Sequence, residues 1–594
     1  MKKYKILFII LIPLLSIHAQ IEERGAYNMP YLRYEADAGI YGGGAQFRGP
    51  SYNQSKIESE ASERKYIALP GQGAYVQWRI QDQVNGITLR FTMPDSPDGT
   101  GLQGMLALYI NDIFISNISL SSYYSWQYFY KNGGTDNEPH NDPSVGNPRM
   151  RFDEMNWVLP SVLESGDIIK LQKNLDDGIE YGIDFIEAEL VPDKIEKPIG
   201  YIDVTEAPFN AIPNDNIDDF RAFSDAISYA NANNVNIYIP EGEFYLSNQI
   251  QLDQDNRSIL GAGIWYTKLH FTEKPTNNRY GGIYSSGSNM HISNFSMSSA
   301  VNYRGAYRAF GQHWGKNSII EDIWITHFSV GFWVADYKTK QHNTADGLIV
   351  RNCRIRNTYA DGLNFAKGSS NCILEHSNIR NTGDDAMASW SSNVDAVGPN
   401  TGNIFRFNTV ENTCRAAGLG IFGGRQHVAH HCIISDSFAG PGIRVNSTFE
   451  AHPFATDSDV NIHDITVERC GTRDNIWGNK LGALDLNVRF YDVNNIRFDK
   501  IDIIDSQVDG VHISKAKGIY ALHDVYLKNI NITGTAKDNA GAGHGIFVSN
   551  NSVGWIENNT INITGAFSGN IFEQSSTFEI REGTLSEPSV KKKR

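Results

Sequence analysis

In the stretch NTGDDAMASW, residues 381–390, Asp384 and Asp385 stand together between a glycine and Ala386, Met387 and Ala388. Two adjacent carboxylates beside small apolar residues make a solvated turn, a metal site or part of an acid–base apparatus. A third carboxylate, Asp361 of the ADG at 360–362, precedes them by 23 and 24 residues. Asp-Gly is turn chemistry, and ADG recurs at 345–347 and VDG at 508–510, so Asp361 by itself signals little. If one structural repeat separates it from the pair, the three carboxyls meet. Three such groups cannot all ionise at ordinary cost, so at least one pKa rises and an acid comes to stand beside a base. Glycoside hydrolysis uses that pairing: a proton for the leaving oxygen and a carboxylate to activate water. Calcium is the main rival. It needs more oxygen ligands than Ala386, Met387 and Ala388 supply.

The element that must position these residues is a repeat. NCRIRNT (352–358) is echoed by HSNIRNT (376–382), then by NTVENT (408–413) and IISDS (433–437). The Asn or Asp at 357, 381, 412 and 436 recurs after 24, 31 and 24 residues, and INITG at 530–534 returns at 561–565. Short β-branched strands broken by Asn, Gly and Asp, with no helices between them, predict a parallel β-helix, its coils about 4.8 Å apart. A propeller is the alternative, against which the variable coil length argues. Aligning Asn357 with Asn381 puts Asp361 over Asp385 and Ala360 over Asp384. Aligning Asn412 puts Ala416 at the same position in the following coil. Before the repeat, Phe220, Phe223, Ile227 and Ala230 form one helical face, with Asp215 or Asn216 as its cap. This helix is expected to cover the open end of the β-helix.

Further residues fall near the same groove. Trp390 follows the pair and Trp333 lies about two coils earlier, where aromatic rings can stack on sugar faces. Arg425 and His427 belong to GGRQHVAHH (423–431), whose glycines permit close backbone approach to a ligand. His430 and His431, next to Cys432, read as structural. No second His/Cys pair has zinc spacing. Cys353, Cys372, Cys414, Cys432 and Cys470 are five in number, lie in one region, and read as small buried residues with at most two disulfides.

Residues 21–195 alternate strand-like runs (GAYVQWRI, GITLRF) with turn signals and predict a β-sandwich. The charged, proline-containing VPDKIEKPIG, 191–200, reads as the linker to a β-helix domain at 196–594. An all-β chain of two domains accommodates 594 residues, too many for one ordinary core. The start, MKKYKILFIILIPLLSIHAQ, has a basic n-region and a short apolar run. It predicts a signal peptide over residues 1–20 and secretion to the extracellular or periplasmic space. Nothing later has transmembrane character. The formal charge of −15 becomes −18 once the three signal lysines are removed. That balance argues against nucleic acid and polyanionic polysaccharide, and it favours a neutral substrate. The KKKR at 591–594 reads as a solvated tail. A monomer is expected, with no nucleic-acid or membrane partner.

The chain from Asp203, DVTEAPFNAIPND…VNIYIPEGEFYLS, resembles the N-terminal cap of pectate-lyase-like β-helices. The ADG of 360–362 followed by NTGDDAMASW resembles glycoside hydrolase family 87, the α-1,3-glucanases (mutanases) and mycodextranases. That resemblance covers roughly 201–570. It implies a right-handed parallel β-helix enzyme that cleaves α-1,3-glucan internally, with inversion, through Asp361, Asp384 and Asp385 and without a catalytic cofactor. Mixed α-1,3/1,4-glucan is the alternative substrate.

Polygalacturonases are similar too. By that analogy Asp384 is the general acid, and Asp361 and Asp385 position the water. The chain lacks their Gly-His-Gly soon after the pair, with GHG only at 543–545, and their Arg-Ile-Lys. A non-catalytic glycan-binding β-helix and a β-eliminating lyase are the other readings. The N-terminal part resembles calcium-stabilised carbohydrate-binding β-sandwiches through RYEADAG (33–39) and YGIDFIEAEL (181–190). This implies Glu35 and Asp184 as ligands of a structural calcium. The run YYSWQYFY (123–130) either binds sugar or packs against the β-helix, the second being preferred.

Overall fold

The computed structural model describes residues 23–583 except 130–139, 273–280, 306, 337–342, 516–517 and 540. The expected signal peptide and the basic tail lie outside the described residues. Among the described residues, the first part of the chain is a sandwich of a six-stranded and a five-stranded antiparallel sheet. Period-two alternation builds its core: in Tyr75–Arg79, Val76 and Trp78 point inward to meet Leu89, Leu108, Ile169 and Ile183. The strand Tyr181–Glu189 is buried along its whole length. Tyr181, Ile183, Ile186 and Ala188 face the sandwich core, while Glu187 and Glu189 reach residues of the second domain.

Residues 191–198 carry no regular structure, as their composition predicts, and the Ile195 N–H donates to the Ala262 carbonyl at 3.0 Å. From Tyr201 the chain winds into parallel coils, forming a 20-stranded and a 12-stranded parallel sheet among the described residues. The core stacks like on like. Ile320, Val350, Leu374, Phe405, Ala429 and Ile462 are register partners in consecutive coils, and all are buried. Each larger side chain contributes about 1.5–3 kcal/mol relative to exposure. The helix Phe220–Asn233 turns Phe223, Ala226 and Ala230 into this core. It starts later than the sequence suggests, with Asp219 at the cap. The Asp219 carboxylate accepts from the Ile212 N–H instead of capping the helix.

The repeated Asn and Asp are the corners of the coils. Asn357, Asn381, Asn412 and Asp436 have φ of 49°, 57°, 54° and 58°, the left-handed region these side chains tolerate. The Asn381 amide donates to Asn357 Oδ1 at 2.8 Å, tying one corner to the next. The aligned register holds for the first step, where Leu363 pairs with Met387. In the next coil it slips by one. Arg380 pairs with Glu411, yet Met387 pairs with Leu419, so Ala417 rather than Ala416 lies over Asp385. One extra residue between corner and strand absorbs the difference.

All five cysteines are unpaired and buried. All belong to the core of the β-helix, and burial pushes each thiol pKa up. A thiol reagent is therefore expected to leave the native protein unmodified and to titrate all five in denaturant. A lower count in denaturant would reveal a disulfide.

The two domains share a polar, buried interface. Tyr124 stacks on His327 at 3.7 Å, the Tyr359 hydroxyl donates to the Tyr124 carbonyl, and the Gln127 amide donates to the Asn302 carbonyl. The described part of the aromatic run thus packs against the β-helix. Deeper in, Arg380 bonds Glu154 and Glu187 of the sandwich and Glu411 of the β-helix, while Arg354 pairs with Glu189 at 2.6 Å.

Candidate active site

The aspartates enter the 12-stranded sheet at the start of Leu363–Ala366 and Met387–Trp390. Coil stacking dictates the glycines beside them. A Cβ on Gly383 would lie 2.3 Å from the Tyr359 carbonyl, and one on Gly362 would lie 2.5 Å from the Ala386 carbonyl. The glycine of ADG is there because the next coil passes so close.

One carboxylate oxygen from each of Asp361, Asp384 and Asp385 lies within 4.8 Å of the others. Their surroundings differ. Asp361 is buried and accepts from the Asn364 amide at 3.2 Å. Asp385 is buried and accepts from the Ala417 N–H at 2.8 Å. Asp384 is the most open, its side chain 20% exposed, with Arg304 Nη1 at 2.6 Å and Arg415 Nη1 at 4.0 Å. Burial and the charge of Asp384 push Asp361 up to about 7, and the same two causes, joined by Asp361, push Asp385 well above the carboxylate range. Burial acts on Asp384 too, but Arg304 and Arg415 overcome it and hold its pKa low. In the ligand-free cluster negative charge is therefore favoured on Asp384 and protons on the inner pair. With three donors and two guanidinium groups beside them, the cluster is no cage for calcium, which takes six to eight oxygens.

A single ladder forms the floor beneath these groups. Trp333, Asn364, Ala388, Gly420, Arg444, Asp485 and His512 are successive register partners. Gly420 leaves room for the acidic side chain: a Cβ on it would come 3.3 Å from Asp385 Cγ. Arg444 Nε lies 3.2 Å from the buried Asp485. Trp333 and Trp390 are 6.3 Å apart, and Trp390 adjoins the half-exposed Phe449 at 6.3 Å. The exposed Trp477 lies under the Arg415 guanidinium at 5.1 Å.

Sequence reasoning brought together the three aspartates, Trp333 and Trp390, and missed Arg304, Arg415, Asn364 and Trp477. Asn364 has a visible signal, three residues after Asp361. Arg304 has none, since only winding places it beside Asp384. Two expected binding residues are turned elsewhere. His427 is 1% exposed and its pKa is lowered to about 4 by burial, so its ring is interior and cannot line a groove. Arg425 directs its guanidinium to Asp457, at 2.6 and 2.7 Å.

Glu35 and Asp184 are neighbours, both close to Ser62: its hydroxyl donates to Glu35 and its N–H to Asp184. The cations beside them are Arg90, which bonds the Asp184 carboxylate, and Arg33, with Nη1 3.9 Å from Glu35. With a guanidinium in the place of the ion and two carboxylates alone, the residues do not fit a calcium shell.

A parallel β-helix with converging acid and base carboxyls and aromatic rings along one sheet defines a polysaccharide-cleaving glycoside hydrolase. Residues 28–191 match alpha-1,3-glucanase catalytic domain D1, and residues 219–553 match alpha-1,3-glucanase catalytic domain D2. The chain belongs to the α-1,3-glucanase family, glycoside hydrolase family 87. It is similar to the Agl-KA catalytic domain, with 36% identity, 94% of this chain and 98% of that one covered, and a TM-score of 0.85. Two further solved structures share the fold. One is a GH87 α-1,3-glucanase catalytic domain in complex with nigerose, at 22% identity, 95% and 99% coverage, TM-score 0.80. The other is the catalytic unit of a thermostable GH87 α-1,3-glucanase from Streptomyces thermodiastaticus strain HF3-3, at 24% identity, 94% and 96% coverage, TM-score 0.75. No curated protein matches the chain.

Proposed function

We propose that this α-1,3-glucanase cuts within glucan chains, with inversion, using Asp361, Asp384 and Asp385 as its catalytic residues. The observation that carries the reading is the convergence of three carboxylate oxygens within 4.8 Å, one of them open to solvent and two buried. Similar structures support it. Among the GH87 structures are variants in which one aspartate is replaced by alanine, and the replaced positions fall at the intervals that separate Asp361, Asp384 and Asp385 here. Their bound nigerose and tetrasaccharides point to an α-1,3-linked glucan as the ligand of this chain.

The roles follow from position. Asp384 is open enough to meet the leaving-group oxygen, and Asp361 and Asp385 are assigned to hold the attacking water. A glucan hydroxyl or glycosidic oxygen at Asp384 competes with Arg304. As the guanidinium withdraws, a proton passes from the inner pair to Asp384. That one transfer charges the acid and frees the base. Asp384 then gives the proton to the leaving oxygen, while the inner carboxylate takes one from the attacking water. Carboxyl groups and water suffice for the step.

The oxygens converge more closely than the ~6.5–9.5 Å usual for inversion. A covalent route, however, needs an ionised carboxylate in contact with the anomeric carbon: Asp384 is paired with Arg304 in the ligand-free site, and the carboxylate freed by the transfer belongs to the buried inner pair, which acts through the water. The product anomer, followed by NMR on α-1,3-glucan, tests the point: a first product of retained configuration refutes inversion. Exclusive release of one small sugar from chain ends refutes internal cleavage. We further propose a secreted monomer; sedimentation of the mature chain as a dimer would refute the second half.

Replacing Arg304 with glutamine removes the cation that holds Asp384 low. The alkaline limb of kcat/KM, which reports the free enzyme, is expected to move to higher pH, and that of kcat to move less. Unchanged limbs would remove Arg304 from the proton transfer.

A further inference from the structure

The 20-stranded sheet carries a second cluster that the reaction does not use. His430 ends the strand Val428–His430, and His463 and Asp464 lie in Val460–Glu468, one coil on. His430 and His463 are register partners, with rings stacked at 5.1 Å and 2°. His431 and Asp464 occupy successive corners, with φ of 53° and 54°, so their side chains leave from the same edge. One donor atom from each of His431, His463 and Asp464 lies within 4.8 Å of the other two.

The contacts inside the cluster turn donor atoms toward one another. Nδ1 of His430 faces Nδ1 of His431 at 2.8 Å, and His463 Nδ1 lies 2.7 Å from Asp464 Oδ2. Lys500 takes the other oxygen of Asp464 at 3.2 Å and leaves Oδ2 on the histidine side. The His463 side chain is 34% exposed, so an ion reaches the cluster from solvent.

We propose that His431, His463 and Asp464 bind one divalent transition-metal ion, with Nδ1 of His430 available as a fourth donor. Imidazoles with a single carboxylate suit zinc and its neighbours, whereas calcium and magnesium take all-oxygen shells. A tetrahedral shell with bonds of about 2.0–2.2 Å sets its donors about 3.3 Å apart, so side-chain rotation closes the observed spread. The ion would staple two coils beneath the N-terminal segment. There the Gly25 N–H donates to the His431 carbonyl at 2.8 Å, and Arg24 bonds Thr466 and Asp502 at 3.0 and 2.7 Å. Sequence spacing hides such a site, because its two halves, HH at 430–431 and HD at 463–464, meet only through the coil interval.

The test is calorimetric titration of the tag-free, chelator-stripped full chain with zinc chloride. The wild type, His431→Ala, His463→Ala and Asp361→Asn are compared, with circular dichroism as the check on folding. One ion per wild-type chain is expected, with roughly hundred-fold weaker binding in each histidine variant and no change in Asp361→Asn. Zinc should also raise the Tm of the wild type and of Asp361→Asn only, and the histidine variants should retain glucan hydrolysis. Absence of binding, or binding that survives both histidine substitutions, overturns the proposal. Loss of binding in Asp361→Asn alone would assign the ion to the aspartates and overturn it equally. If either histidine variant fails to fold, His463→Gln, which keeps the bulk of the side chain, is titrated in its place.

Discussion

Asp384→Asn is expected to lower kcat on α-1,3-glucan by about 10²–10⁴-fold, the usual range for loss of a general acid, with little effect on the fold. The asparagine keeps the volume of the carboxyl and can still hydrogen-bond, but it has no proton of suitable acidity to give. Asp361→Asn and Asp385→Asn should fall in the same range, because the three groups share protons and act as a unit. The double variants should then lose little more than the singles. Tm should shift least for Asp384→Asn, since this carboxyl is the most open of the three. Initial rates of reducing-end release, measured alongside Tm, check both halves. Turnover near that of the wild type in Asp384→Asn would refute its role, and additive losses in the doubles would refute the shared proton.

The second large effect concerns stability. Arg380 is fully buried and serves three carboxylates at once, Glu154 and Glu187 from the sandwich and Glu411 from the β-helix. Arg33 reinforces Glu187 and Glu411 at 2.8 and 2.9 Å, and Arg356 reinforces Glu154 at 3.2 Å. Removing one partner from a buried network leaves uncompensated charge, at a cost of about 3–5 kcal/mol. Arg380→Met should therefore lower Tm by several degrees and uncouple the unfolding of the two domains in scanning calorimetry.

The pH dependence has a definite sign. Burial opposes ionisation of all three glutamates, yet the arginines win. Glu187 is held near 2, Glu154 below its ordinary value and Glu411 well below it. The folded pKa values are depressed, so the stabilisation is complete above the unfolded value near 4.5 and is lost as pH falls toward 2. The gap between wild type and Arg380→Met should thus be widest near neutrality and close in acid, as the carboxylates protonate and the need for Arg380 disappears. A gap independent of pH would show that packing, rather than charge, joins the domains there.

This interface also separates what was legible in the sequence from what was not. The repeat was legible because each coil reuses one local solution: an Asn or Asp at a left-handed corner, an inward β-branched residue and an outward polar one. From it came the parallel β-helix and the stacking of Asp361 on Asp385. The sandwich was legible from period-two alternation. Calcium at Glu35 and Asp184 was not a safe reading, because a carboxylate pair looks the same in sequence whether a metal or Arg90 answers it. His427 looked available because nothing local shows whether a ring points into a coil or out of it.

By itself, then, the sequence determined the coil, the register of the aspartates to within one residue in the next turn, and the family. In the coils that carry the aspartates, backbone hydrogen bonding and hydrophobic stacking depend on residues 24 and 32 apart, an interval that repetition makes visible. Only the tertiary structure decided which aspartate is ionised, which arginines hold it, and how the domains meet. Those are long-range electrostatic facts: Arg304 stands 80 residues before Asp384, and Glu154 stands 226 before Arg380. Charge acts across space, and no period in the chain records it.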